Sequence, residues 1–88
     1  MTISLQLGPH SFTLDPRNAR VMLGRDPSCG LVGGDPSVSR RHAEVFLDAQ
    51  GQPWIRDYGS SNGTWVDGRA LMPGQPVAGQ QRDLTLLV

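Results

Sequence analysis

His42-Ala43-Glu44-Val45-Phe46-Leu47-Asp48-Ala49-Gln50-Gly51-Gln52-Pro53-Trp54-Ile55-Arg56-Asp57 is the stretch on which the fold turns. Ala43, Val45 and Leu47 alternate with His42, Glu44 and Phe46, the two-residue period of a strand with one face on an apolar core. Asp48 and Gly51 are turn residues, and a second strand runs from Pro53 to about Asp57. On the N-terminal side, Ile3, Leu5 and Leu7 keep the same period up to the break at Gly8-Pro9. Phe12 and Leu14 resume it, so the chain opens on a strand pair. Ala19-Arg20-Val21-Met22-Leu23, closed by Gly24, predicts a third strand. A short apolar stub, Leu31-Val32, follows Asp26-Pro27 and precedes a predicted loop, Gly33-Gly34-Asp35-Pro36. On the C-terminal side, Tyr58-Gly59-Ser60-Ser61-Asn62-Gly63-Thr64 is a loop of small residues whose Asn-Gly pair favours positive φ. Thr64-Trp65-Val66 starts another strand. Asp67-Gly68 is a hairpin signal, Pro73-Gly74 a turn, and Leu84-Thr85-Leu86-Leu87-Val88 a closing strand. The expectation is an all-β fold, a small and mainly antiparallel sandwich or barrel, with no long helix.

Composition narrows the function. Eighty-eight residues are enough for one domain, spanning 1-88, and too few for two. Val88 stops inside an apolar strand with no polar tail, which suggests one domain of a longer protein. Eight arginines with no lysine balance seven aspartates and one glutamate, and the zero net charge argues against a polybasic nucleic-acid or membrane-surface binder. Cys29, alone, forms no internal disulfide, and with two histidines it cannot complete a closed zinc site. An intracellular, cytoplasmic setting is expected. No apolar run reaches a membrane-spanning length and the N-terminus lacks signal-peptide character, so no membrane insertion by this segment is expected. Eleven glycines and seven prolines punctuate the chain at the spacing of short strands joined by turns.

Taken singly, the polar residues are unremarkable. His42 reads as a hydrogen-bonded structural residue. Ser39, His42 and Asp57 have the composition of a hydrolytic triad, but no strand-to-helix elbow exposes the serine, and a domain this small lacks the walls that keep water from a site. A non-enzymatic chain without cofactor or metal is expected. More telling is that loops carry Arg25, Ser39, Arg40, Ser61 and Asn62, because loops at one end of a sandwich converge on a partner. The set is rich in donors and has no carboxylate. A guanidinium fork suits phosphate oxygens, and hydroxyls and turn amides fill the oxygens it leaves. A phosphate monoester carries roughly −1.5 to −2 charge at neutral pH, and charge-assisted bonds contribute about 1.5–3 kcal/mol each.

The order Leu23-Gly24-Arg25-Asp26, then Ser39-Arg40-Arg41-His42-Ala43, then Asp57-Tyr58-Gly59-Ser60-Ser61-Asn62-Gly63-Thr64 resembles a forkhead-associated (FHA) domain, closely from about Val21 to Val66. The resemblance implies a sandwich of two twisted sheets that binds phosphothreonine peptides through loops at one end. It implies phosphate contacts for Arg25, Ser39 and Arg40, a second hydroxyl at Ser61 facing the phosphothreonine, and an Asn62 amide that clamps the peptide backbone. Gly24, His42 and Gly63 resemble architectural positions that support the binding loops. The implied partner is a phosphothreonine-containing protein or peptide in Ser/Thr kinase signalling, either a kinase substrate or a segment of the parent chain. A threonine methyl in a small recess adds about 0.8 kcal/mol over serine. Three places depart from the family pattern: Gly33-Gly34 before the serine, the uncharged Ser37 where some relatives place an arginine, and the tail Gly79 to Leu84. The alternative is a phosphate-independent interaction scaffold that uses a sheet face or an edge strand.

Overall fold

Period-two alternation becomes two facing layers in the computed structural model, which describes residues 2–32, 38–79 and 82–87. Its strands are β1 (Ile3–Leu7), β2 (His10–Leu14), β3 (Arg20–Gly24), β4 (Leu31–Val32), β5 (Ala43–Leu47), β6 (Pro53–Asp57), β7 (Trp65–Val66), β8 (Arg69–Ala70), β9 (Val77–Ala78) and β10 (Asp83–Leu87). They form two five-stranded sheets, ordered β2-β1-β10-β7-β8 and β4-β3-β5-β6-β9. Of the two architectures the sequence leaves open, this is the sandwich. No helix occurs among the described residues. The predicted loop Gly33–Pro36, Ser37 and Val88 lie outside them.

The core follows from the alternation. Ile3, Leu5, Leu7 and Leu14 of the first sheet, with Leu84 and Leu86, bury against Val21, Leu23, Val45 and Ile55 of the second. Each such side chain contributes about 1.5–3 kcal/mol when removed from water. Most pairings are antiparallel, but β1 with β10 and β3 with β4 are parallel. The turns form where their residues demand. Asp67 (φ 48°) and Gly68 (φ 85°) make the two-residue link between β7 and β8, the mirror-image turn that suits strand twist. Gly74, at φ 80°, follows Pro73 in a turn closed by Gln75 N–H to Met72 O at 3.3 Å.

Two features differ from the sequence reading. His42 and Thr64 stand just before β5 and β7 instead of opening them. Glu44, on the outward side of β5, is buried because Arg20 and Tyr58 fold over it: Arg20 Nη1 lies 3.0 Å from Oε2, and Tyr58 OH donates to Oε1 at 3.4 Å.

Register sets up the functional end. Leu23 pairs with Ala43, and Ala43 with Asp57, so the end of β3, the start of β5 and the end of β6 lie side by side. The segments that leave these points, from Arg25, through Ser39 to His42, and from Tyr58 to Thr64, therefore emerge at the same end of the sandwich.

Candidate functional site

All five proposed contact residues fall on these three loops: Arg25 after β3, Ser39 and Arg40 before β5, Ser61 and Asn62 between β6 and β7. Backbone bonds weld the first two loops. Arg25 N–H donates to Ser39 O at 3.0 Å, Asp26 N–H to Arg40 O at 3.1 Å, and His42 N–H to Leu23 O at 2.8 Å. The approach is close enough to require glycine at position 24. A Cβ there would stand 2.8 Å from the Arg40 carbonyl carbon and closer still to its oxygen.

His42 ties this pair to the third loop. Its fully buried ring accepts the Ser39 N–H at Nδ1 (3.1 Å), so Nε2 carries the proton and donates to Gly63 O at 2.6 Å. The ring nitrogen that a serine nucleophile would need is thus occupied by the backbone amide of Ser39. A second tie runs from Ser61 N–H to Ser39 Oγ at 3.1 Å. That bond uses a lone pair of Ser39 and leaves its hydroxyl proton to donate elsewhere. Gly63, at φ 89°, turns the chain from one sheet toward the other, with Trp65 packed 3.3 Å from where its Cβ would be.

Arg25 is exposed, yet its guanidinium is not loose. Nε donates to Val38 O at 3.1 Å, which fixes the stem and directs the two terminal nitrogens beyond that tether. Arg40 is exposed too, with Nη2 3.9 Å from Asp26 Oδ2. The Asp26 carboxyl is held below its ordinary value chiefly by hydrogen bonds from the Ser28 backbone and side chain, with smaller help from Arg40 and Arg41. Behind this loop, Cys29 Sγ contacts Arg40 O at 3.4 Å, and burial, with Asp26 nearby, pushes the thiol up. Among the described residues, no group of three His, Cys, Asp or Glu side chains is placed to hold a metal.

Asp57 is the residue that sequence reasoning underrated. Buried at the base of the third loop, it accepts Gly59 N–H (3.0 Å) and Ser60 N–H (3.1 Å) at Oδ2, and Ser60 Oγ (2.5 Å) and Thr64 Oγ1 (2.6 Å) at Oδ1. Burial pushes its carboxyl up, but these donors outweigh burial and leave it below the ordinary value. Ser60 Oγ in turn accepts Gly63 N–H at 3.1 Å. The signal in the sequence was an aspartate followed closely by Gly and Ser, the signature of a side chain that caps its own turn.

The loop end therefore presents a fixed cation, a hydroxyl with a proton to give, and neighbouring hydroxyl and amide groups, with the carboxylates Asp26 and Asp57 engaged by their own loops. Comparison with known proteins identifies the family. The human mediator of DNA damage checkpoint protein 1 is 37% identical over 70 residues, 76% of this chain but only 3% of that protein's length. The chain thus spans a small fraction of the curated relatives it matches. The N-terminal FHA domain of S. cerevisiae Rad53p, solved with a phosphothreonine peptide, superposes with a TM-score of 0.65 at 26% identity, over 73% of this chain and 52% of that one. The FHA domain of CT664 from Chlamydia trachomatis gives 0.64 at 27% identity, over 99% and 94%. The FHA domain family model matches residues 21–86, three-quarters of the sequence and all three loops, and the chain belongs to the FHA-domain family.

Proposed function

We propose that this domain is a binding module for phosphothreonine in a peptide or protein, with Arg25, Ser39, Arg40, Ser61 and Asn62 as its contact residues. The observation that carries the reading is the tether of Arg25 Nε to Val38 O beside a Ser39 hydroxyl that is itself held by Ser61 N–H. Both groups are positioned before any ligand arrives, so binding does not have to order them, and the entropy cost is reduced. Arg25 supplies charge and a planar pair of donors, Ser39 and Ser61 supply hydroxyls, and Arg40 a second cation. Asn62, exposed next to Ser61, is the residue this reading assigns to the peptide backbone. The solved Rad53p relative, which holds a phosphothreonine peptide, supports phosphothreonine as the ligand. The domain acts by recognition and has no reaction to catalyse, and its partner is a product of a Ser/Thr kinase.

Titration of a phosphothreonine peptide, its unphosphorylated form and a Thr→Glu form tests the reading. Only the first should bind at micromolar strength, because a carboxylate offers one charge and two oxygens where the phosphate offers nearly two charges and three. Arg25→Ala should weaken the phosphopeptide by at least about tenfold, the loss of one charge-assisted contact. Equal binding of the Glu form, or an unaffected Arg25→Ala, overturns the assignment.

A further inference from the structure

The outward face of the β5–β6 pair gathers chemistry that the loop site does not use. Three of the chain's five aromatic residues lie there: Phe46 and Trp54, directly paired across the strands, and Tyr58, whose hydroxyl reaches Glu44. Two arginines lie over them. Arg20 sits 5.2 Å from the Phe46 ring centre and Arg56 5.9 Å from that of Tyr58. Trp54 is pinned by Nε1 donating to Asp48 Oδ2 at 2.9 Å.

The charges on this face are layered. Glu44 is the carboxylate that register places opposite Arg56, but its oxygens are taken by Arg20 and Tyr58. Its side chain is 6% exposed while that of Arg20 is 67% exposed, so solvent meets guanidinium and ring instead of carboxylate. Arg56 is left over. Its Nε is buried and has no hydrogen-bond partner among the described residues. A desolvated N–H without an acceptor is costly, but it lies beyond the reach of another molecule, and the half-exposed side chain offers a partner its terminal nitrogens instead.

We infer that this face is a second docking surface, and that its occupant is an acidic segment of the same partner that carries the phosphothreonine. The inference rests on the phosphothreonine reading for the partner's identity. An Asp or Glu side chain fits because its charge complements the exposed Arg20 and the terminal nitrogens of the half-exposed Arg56, whose facing carboxylate is already taken. Tyr58 links the two surfaces, as it closes this face and opens the loop that carries Ser61 and Asn62. Arg56 lies two residues back along β6, about 7 Å. Ser61 is five residues from Arg56, a span of at most about 17 Å, and an extended peptide gains about 3.3 Å per residue, so acids from roughly the fifth residue beyond the phosphothreonine come within reach.

The test uses phosphothreonine peptides carrying a run of Glu from that distance outward, on either the N- or the C-terminal side, against the same peptides with Gln. One of the two Glu forms should bind the wild-type domain about fivefold more tightly than its Gln form, with the gain falling away at high salt. Arg56→Gln should abolish the gain and leave the short phosphopeptide unaffected. Equal binding of Glu and Gln forms in both directions overturns the proposal, as does a gain that persists at high salt or in Arg56→Gln. Should Arg56→Gln fail to fold, the salt dependence of the wild type decides alone. If no phosphopeptide binds, the loop reading has failed separately. An unphosphorylated Glu peptide, followed by amide and indole NMR shifts, then decides for the face: shifts at Trp54, Arg56 and Tyr58 support it, and none overturns it.

Discussion

Gly24 passes so close under Arg40 that a side chain on it would collide with the Arg40 carbonyl, backbone against backbone. Neither strand end can yield without breaking the bonds from Arg25 N–H and Asp26 N–H to the facing loop. Gly24→Ala should therefore destabilise the domain by about 1–3 kcal/mol, through overpacking. It should also weaken phosphopeptide binding, because Ser39 and Arg40 move together. Urea denaturation beside a binding titration checks this, and a variant with wild-type stability would show that the loop has slack.

The His42 side chain hydrogen-bonds both Ser39 and Gly63, residues on loops that the sequence keeps far apart. His42→Ala leaves a part-buried N–H and a part-buried carbonyl unpaired and a cavity behind them. The expected cost is about 2–4 kcal/mol. Amide hydrogen exchange should accelerate at Ser39, while the amides of the β1–β2 hairpin at the far edge of the other sheet lose protection only in step with global stability.

Much of this was legible in the sequence because it is local. Period-two stretches mark β1, β2 and β5, short runs bounded by turn residues mark β3, β6 and β10, and Asp67-Gly68 and Pro73-Gly74 mark their turns. The two-residue strands β8 and β9 are too short for any period to register. The parallel pairing of β1 with β10 leaves no mark on either strand, since neighbours in a sheet are chosen by packing between distant segments. Glu44 shows the limit of alternation, which assigns it to the outward face but does not reveal that Arg20 and Tyr58 cover that face. The loops that carry Arg25, Ser39, Arg40, Ser61 and Asn62 could be placed from glycines and turn residues. The bonds that join them span more than twenty residues, from Ser61 to Ser39 and from Gly63 to His42, and no local pattern encodes them.

Ser39 and Ser61 should not respond alike to truncation. Ser39→Ala removes the proposed phosphate donor and also the acceptor for Ser61 N–H, so it loosens the third loop. Ser61→Ala removes only a hydroxyl, and its backbone bond to Ser39 persists. Calorimetric titration should show Ser39→Ala weakening the phosphopeptide by about 10–100-fold, and Ser61→Ala by severalfold less. The reverse order would mean that Ser61, not Ser39, is the principal hydroxyl.

Asp57 makes the stability of the third loop depend on pH, and the direction follows from its environment. Four donors hold the carboxyl below its ordinary value near 3.8 against the opposing effect of burial. In the window between the depressed value and the ordinary one, the unfolded chain binds a proton that the folded chain resists, so folding weakens as pH falls. The contribution is complete above the ordinary value and lost as pH drops through the depressed one. Asp26 and Asp48, also depressed, the first mainly by Ser28 and the second by the Trp54 indole N–H, add to the same slope from exposed positions. Asp57→Asn should therefore cost about 1–3 kcal/mol at neutral pH, since an amide accepts at one atom only and sets its own NH2 against a donor. It should also flatten the acid limb without abolishing it. Urea denaturation of both proteins from neutral pH down to about 3 reads the two slopes, and parallel curves would assign the acid sensitivity to the other carboxylates.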